Sequence, residues 1–498
     1  MPLIRRIGIE MSIEQKYATI LKDYFYEDFK VAKMANFNQR KYRIAIRKKY
    51  GDSAIAYSIL LSLACELENV DWAEQEKRIR NMNCLKAHYV GSEYGFKEPS
   101  AMSSSNFIKR TALYADTIIL EEQILNTLHG LTRDKPSSVD IFEKLLVTVD
   151  YAIEFLSLDE NSVFSSDSGS PICVIAPSHR WSLKNHNIDK EIFELTKICT
   201  IDYSNEVFGN RFKSYNDLKK YLSTLDIDRF LASQNFKSPH DGSTLTATWI
   251  EEQRDSLGGV PLDLALEIVL HMQRSIRVYA LVQNGLLGSI PITNSKMAWH
   301  SMNAIIKNDN MRINKQISTK AISKDALIMN SLGNSNRQDY QWLGNVPVTK
   351  LSIMRERGEL ADLREVIGKG VSTIQDTQDD EFCDITSQVY GNIDNALRKH
   401  ETELKDLKQK YRRAYGIDTL IGVSGSISFT SAIYQSLASS IGILAALPPI
   451  ATTITSIAAI SKDYYKKRNE VATLRKKPIS ILFQAKEDAN NQAKNVSG

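Results

Sequence analysis

Several chemistries are missing from the 498 residues before any pattern is sought. There are five cysteines, Cys65, Cys84, Cys173, Cys199 and Cys383, far apart and with no Cys-x-x-Cys, which argues against both a disulfide framework and a zinc ribbon. The eight histidines include no pair at i, i+4 and no His-Glu-x-x-His, so zinc hydrolase chemistry has no local support and no metal ligand set is assigned. No Gly-x-Ser-x-Gly elbow is present. The nearest approach to a phosphate loop, Gly368 to Thr373, lacks the upstream glycine that such a loop requires, and no cofactor is expected. Only 23 glycines and 12 prolines exclude collagen-like and low-complexity classes. With 63 basic and 59 acidic residues, the net charge of +4 is too small to make the whole molecule a polyanion binder.

What remains has the composition of a folded protein: 43% hydrophobic and 24% charged, with a mean hydropathy of -0.28 that excludes a multi-pass membrane protein. At roughly 150 residues per domain, the length suggests about three domains, or two large ones. The opening residues carry Arg5 and Arg6 but no apolar run of signal-peptide length, so a reduced, cytoplasmic setting is expected.

The pattern predicts a mainly α chain with a small mixed α/β middle region. Residues 1–160 read as a helical N-terminal domain poor in strand signals. Ser53 to Cys65 is a compact apolar run, and Leu113 to Leu128 and Val139 to Leu156 repeat their apolar positions by threes and fours. The stretch Asp159 to Pro171 reads as a linker. Residues 171–345 form the mixed middle domain, with strand candidates at Ile172 to Ile175 and Thr244 to Ile250. Residues 262–283 suit either one helix or a helix to about Ser275 followed by a hairpin around Asn284-Gly285, and the second is preferred.

Residues 350–498 read as a helical C-terminal region. From Phe382 to Tyr411 the apolar positions step by threes and fours, with His400 filling one gap and a charged face opposite. A bundle arm or a homotypic coiled coil would use that pattern. Between Asp418 and Lys462 lies a 43-residue run without a charge, residues 419–461. Pro448 and Pro449 must break it into a hairpin. Both flanks are basic, and 14 of the 43 residues are Ser or Thr. The first limb is long enough to cross a bilayer, but the second, at roughly 20 Å, is not.

Three readings fit this run: a buried hairpin or oligomer interface, a conditionally inserted membrane segment, and a constitutive anchor. In each, Ile441, Ile443, Leu444 and Leu447 carry the apolar contacts and Pro448 and Pro449 the turn, while Lys466, Lys467 and Arg468 would engage headgroups. The working expectation is therefore non-enzymatic. It is an interaction or effector protein, such as a bacterial toxin or phage-defence effector, that is cytoplasmic and either peripheral to or conditionally inserted in the inner membrane. Its candidate partners are a membrane surface, a second copy of itself or another protein.

Two alternatives stand beside it. The stretch 37–50 sets Arg40, Lys41, Arg43, Arg47, Lys48 and Lys49 among aromatics, a pattern that suits phosphates and stacked bases or anionic headgroups. His179, just beyond a candidate strand and followed by Asp189, Lys190, Glu191 and Glu194, is the best-placed titratable group for an enzyme site assembled across the fold. His240-Asp241-Gly242 reads as a turn.

Overall fold

The computed structural model describes residues 11–27, 54–90, 107–125, 171–233, 236–237, 244–293, 323–334, 338–371 (except 347 and 357), 381–415 and 477–496, with single residues such as Lys48 and Leu128 and short pieces of the stretches between. Residues 419–461 with their basic flank Lys466 to Arg468, and the cations Arg40, Lys41, Arg43, Arg47 and Lys49, lie outside the described residues, as does His240-Asp241-Gly242. Lys48 is described and exposed.

The chain is mainly α with a small parallel sheet. It forms two compact units, one of residues 1–336 with 371–386, the other of 337–370 with 387–498. In order along the first unit come α1 (Ile13–Lys22), α2 (Ala54–Glu68), α3 (Trp72–Asn81), β1 (Lys86–Tyr89), β2 (Thr117–Glu121), β3 (Cys173–Ala176), α4 (His179–Asn185), α5 (Asp189–Phe208), α6 (Tyr215–Leu222), α7 (Ile227–Ser233), β4 (Phe236–Lys237), β5 (Thr244–Leu245), α8 (Ala247–Ser256), α9 (Leu262–Leu287), β6 (Ile290–Ile292) and α10 (Lys324–Asn334).

Four strands pair in parallel in the order β3-β2-β1-β6, so residues on both sides of the 159–171 stretch share one sheet. Each edge of the sheet is closed by a buried side-chain amide. On β3 the Ile175 carbonyl accepts from Gln75 Nε2 of α3 at 2.6 Å. Beyond β6, Asn330 of α10 donates to the Pro291 carbonyl at 3.1 Å and accepts from the Thr293 N–H at 3.0 Å. These amides satisfy groups that a further strand would otherwise pair.

The register sorts the side chains by face. Paired residues in a parallel ladder point the same way, so His88, Ile119 and Val174 share one face, and Glu121, two residues after Ile119, shares it too. Ile79 of α3 and Leu287 of α9 pack on that face against Ile119, Val174 and Ala176. The other end of α9 buries Ala265, Leu266, Val269 and Leu270 against Tyr203 and Val207 of α5 and Leu218 and Leu222 of α6.

Four expectations need correction. Leu113 to Leu128 is not one continuous helix: residues 117–121 are β2, because a strand buried on both faces shows a continuous apolar run that mimics helical spacing. The N-terminal region also holds β1, whose Lys-Ala-His-Tyr sequence buries two polar residues and so carries no strand signal. Buried Lys86 is satisfied by donating Nζ to the carbonyls of Ile79 (2.8 Å) and Arg80 (3.1 Å) at the end of α3. Of Thr244 to Ile250 only two residues are strand, since Thr246 caps α8 by accepting from the Trp249 N–H at 3.2 Å. Finally, 262–287 is one helix and not a helix plus hairpin. Asn284 bonds back to the Ala280 carbonyl at 2.6 Å within the helix, and the chain turns at Gly288, whose φ of 60° suits glycine.

The helical readings hold for residues 54–65 and 382–411. The described residues between 145 and 156 are helical and bury Leu145, Val149, Ala152 and Leu156. The second unit contains α11 (Val348–Glu356), α12 (Glu359–Ile367), the greater part of α13 (Glu381–Tyr415) and α14 (Pro478–Val496). Along α13 Val389, Ile393, Leu397 and His400 are buried, and His400 meets the Phe483 ring of α14 at 5.5 Å. Asn392 donates to the carbonyls of Ile367 and Lys369, tying α13 to the end of α12.

One close approach in the first unit makes a direct prediction. A Cβ built on Gly333 of α10 would lie 1.8 Å from the buried Phe107 ring, which itself packs on Tyr89. Gly333→Ala should therefore destabilise by about 1–3 kcal/mol, the usual cost of overpacking. A denaturation midpoint unchanged from wild type would refute that packing.

Candidate active site at the C-terminal edge of the sheet

Parallel strands present their side chains and helix starts at one edge, and sites in such sheets gather outside the strands' C-terminal ends. The strand order here reverses at β1: β2 and β3 follow on one side, and β6 returns on the other. His88 lies on β1 at this reversal, Glu121 ends β2, and His179 opens α4 two residues beyond Pro177.

Ser178 creates the start of α4, its hydroxyl accepting from the Trp181 N–H at 3.3 Å. This places the His179 backbone N–H at the helix's first free position. Glu121 Oε1 accepts that N–H at 2.8 Å and also pairs with His179 Nδ1 at 2.6 Å. One carboxylate oxygen thus fixes both the backbone and the ring. Tyr279 of α9 stacks on the imidazole, with centroids 5.4 Å apart and planes 22° apart. One turn further along α9, Gln283 donates Nε2 to the Pro177 carbonyl at 2.7 Å. His179 Nε2 has no hydrogen-bond partner among the described residues.

Burial pushes the Glu121 carboxyl up, but the charge and hydrogen bonds of His179 outweigh it and hold the group below the usual carboxylate range. It is therefore an ionised acceptor at neutral pH. His88 is 1% exposed, and neither ring nitrogen has a partner among the described residues. Desolvation lowers its pKa to about 4, and the opposing pull of Glu121 does not restore it. The next carboxyl, Glu122, has a different role. It accepts from Tyr17 Oη (3.1 Å) and from the N–H groups of Ile124 (2.7 Å) and Leu125 (3.0 Å), anchoring α1 and the chain after β2. Burial raises it to about 7 despite those bonds.

Three of the residues expected beside His179 point to solvent. Lys190, Glu191 and Glu194 are exposed on α5, with Glu194 bound to Lys197 at 2.6 Å. The acid that does join comes from β2, 58 residues earlier in the chain. A second pair, His186 Nε2 to Glu76 Oε1 at 2.5 Å, joins α4 to α3 with Arg80 beside it. Among the described residues no cluster of three or more His, Cys, Asp or Glu side chains could hold a metal ion, and no helix is long and apolar enough to cross a membrane. Glu403 and Lys405 on α13 are spent on Lys477 and Glu401.

No family model matches the chain, and neither a curated protein nor a solved structure matches it.

Proposed function

We propose that the parallel-sheet unit is an acid–base enzyme in which His179, oriented by Glu121, takes and returns a proton through Nε2. The observation that carries this reading is the 2.6 Å bond from His179 Nδ1 to a carboxylate that also holds the His179 backbone N–H. A carboxylate on Nδ1 fixes the tautomer that leaves Nε2 as the base, and it stabilises the imidazolium formed when that base accepts a proton. The reaction class that fits is hydrolysis or group transfer on a small polar molecule. A water or hydroxyl O–H would give its proton to Nε2 as the oxygen attacks, and the imidazolium would then return a proton to the leaving group. The test is mass-spectrometric comparison of a small-molecule extract incubated with wild type or with His179→Ala. A compound consumed only by wild type supports the enzyme; identical profiles oppose it.

A second reading rests on the charge-free run 419–461 and its basic flanks. We propose that this hairpin carries the output of an effector, through a membrane surface or a second copy of the chain, with Ile441, Ile443, Leu444 and Leu447 in contact. Full-length protein should float with anionic liposomes, and Leu444→Asp should abolish flotation, since an aspartate deep in hydrocarbon costs about 3 kcal/mol. Wild type that stays at the bottom of the gradient as a defined oligomer would leave the self-association form; a monomer that stays there would remove both forms.

A further inference from the structure

Proton transfer at His179 uses the edge of the ring that meets Glu121 and the Nε2 beyond it, and leaves the face of the ring without a role. That face is covered by Tyr279, whose ring lies along the imidazole with centroids 5.4 Å apart and planes 22° apart. Tyr279 comes from α9, which grips the same turn of chain a second time. Gln283, one helical turn further on and fully buried, donates Nε2 to the carbonyl of Pro177, the residue before the Ser178 cap. The sheet thus holds His179 by its edge, through the Glu121 carboxylate, while α9 holds it by its face and by the backbone leading into α4.

We infer that Tyr279 is the positioning residue of this site: its ring narrows the planes open to the imidazole and stabilises the charge that the imidazole takes up with the proton. This rests on the reading of His179 as the base of an enzyme and names the residue that supports that base. The outer torsion of a histidine side chain is broad, so a wall parallel to the ring limits it, and with it the direction in which the Nε2 lone pair points. The face of an aromatic ring is also its negative side and attracts a cation lying over it. While His179 is neutral the stack is a packing contact. When the substrate O–H bond breaks, its electron pair stays on the attacking oxygen, the Nε2–H bond forms, and the same stack becomes a cation–π pair. The gain arrives with the charge, so it lowers the barrier rather than tightening substrate binding. His88 of β1, which Glu121 also feels, is kept neutral by burial and adds no opposing charge at neutral pH.

Ring fluorination tests the proposal on the full chain, because fluorine withdraws charge from an aromatic face while nearly keeping its shape. Tyr279→Phe, which keeps the ring, should turn over close to wild type, and Tyr279→Leu should lose roughly three- to thirtyfold in kcat, the range of a cation–π contact, with KM unchanged. Phenylalanines carrying one, two and three ring fluorines, incorporated at position 279, should fall stepwise from the Tyr279→Phe rate towards the Tyr279→Leu rate. A side chain that only fills space would give one rate across the fluorinated series. The same series has a readout that needs no substrate: the fraction of His179 protonated at a fixed pH, from ring-nitrogen NMR, should fall with each fluorine. A kcat and a protonated fraction that are both flat across the series, or a Tyr279→Leu variant with wild-type kcat, overturn the assignment. Its failure is distinguishable from that of the enzyme reading. If His179→Ala abolishes consumption of a compound while neither readout responds to fluorine, the acid–base site stands without Tyr279; if the protonated fraction falls stepwise but nothing is consumed, the stabilising contact stands without the enzyme.

Discussion

His179→Ala should lower turnover of the compound consumed by wild type by about a hundred- to ten-thousandfold, the usual contribution of a positioned acid–base group. Glu121→Gln should lose nearly as much while leaving substrate affinity close to wild type. The glutamine keeps an oxygen that can accept from the His179 N–H, so α4 should still begin where it does, but the charge that stabilises the imidazolium is gone. A merely structural role for Glu121 would instead weaken binding and folding together. Steady-state rates on both variants, with circular dichroism to confirm folding, separate the two outcomes.

The second large effect concerns stability against pH, where two buried groups pull in opposite directions. Glu122 rises from an ordinary value near 4.5 to about 7 in the folded chain, because burial disfavours its charge. Between those values the unfolded chain has released the proton and the folded chain has kept it. Stability from this group is therefore present below about 4.5 and declines as pH rises towards 7. His88 falls from 6.5 to about 4 for the same physical reason acting on a base. Between those values the unfolded chain holds a proton that the folded chain refuses, so stability declines as pH falls from 6.5 towards 4. Each shift corresponds to about 3 kcal/mol at most, and between roughly pH 4.5 and 6.5 the two slopes oppose each other. Glu122→Gln, which keeps the acceptor for Tyr17 Oη, should gain stability relative to wild type as pH rises from 4.5 to 7. His88→Leu should gain relative to wild type as pH falls from 6.5 to 4. Urea denaturation of the three proteins across that range checks both signs; parallel profiles would show that neither carboxyl nor imidazole titrates as its burial requires.

The parts of the fold that could be read from the sequence were those whose packing follows one simple period. The seam of α13 is an example: His400 sits in the gap that spacing assigned to it, buried against α14. The strand at 173–176 was also visible, as a short apolar run bounded by a proline on each side. β1 and β2 were not. β1 spends two of its four positions on Lys86 and His88, whose burial depends on the end of α3 and on the site, neither of which is local in sequence. β2 is apolar on both faces, and its isoleucines and leucine fall on helical spacing by coincidence. Missing β2 concealed the site as well. His179 stood out because it follows a candidate strand, but Glu121 could not be paired with it while residues 113–128 read as helix. Nothing local marked Gln283 either, since it lies within a helix whose Asn-Gly dipeptide imitates a hairpin turn.

The most direct test of the account is the proton on the His179 ring, read by long-range proton–nitrogen NMR of histidine-labelled protein, with His179→Ala used to assign the signal. The expected result for the neutral ring is a proton on Nδ1 and a bare Nε2, changing in Glu121→Gln. A His179 signal with the proton on Nε2 and none on Nδ1, unaffected by Glu121→Gln, would contradict the account, because the carboxylate would then not be orienting a base.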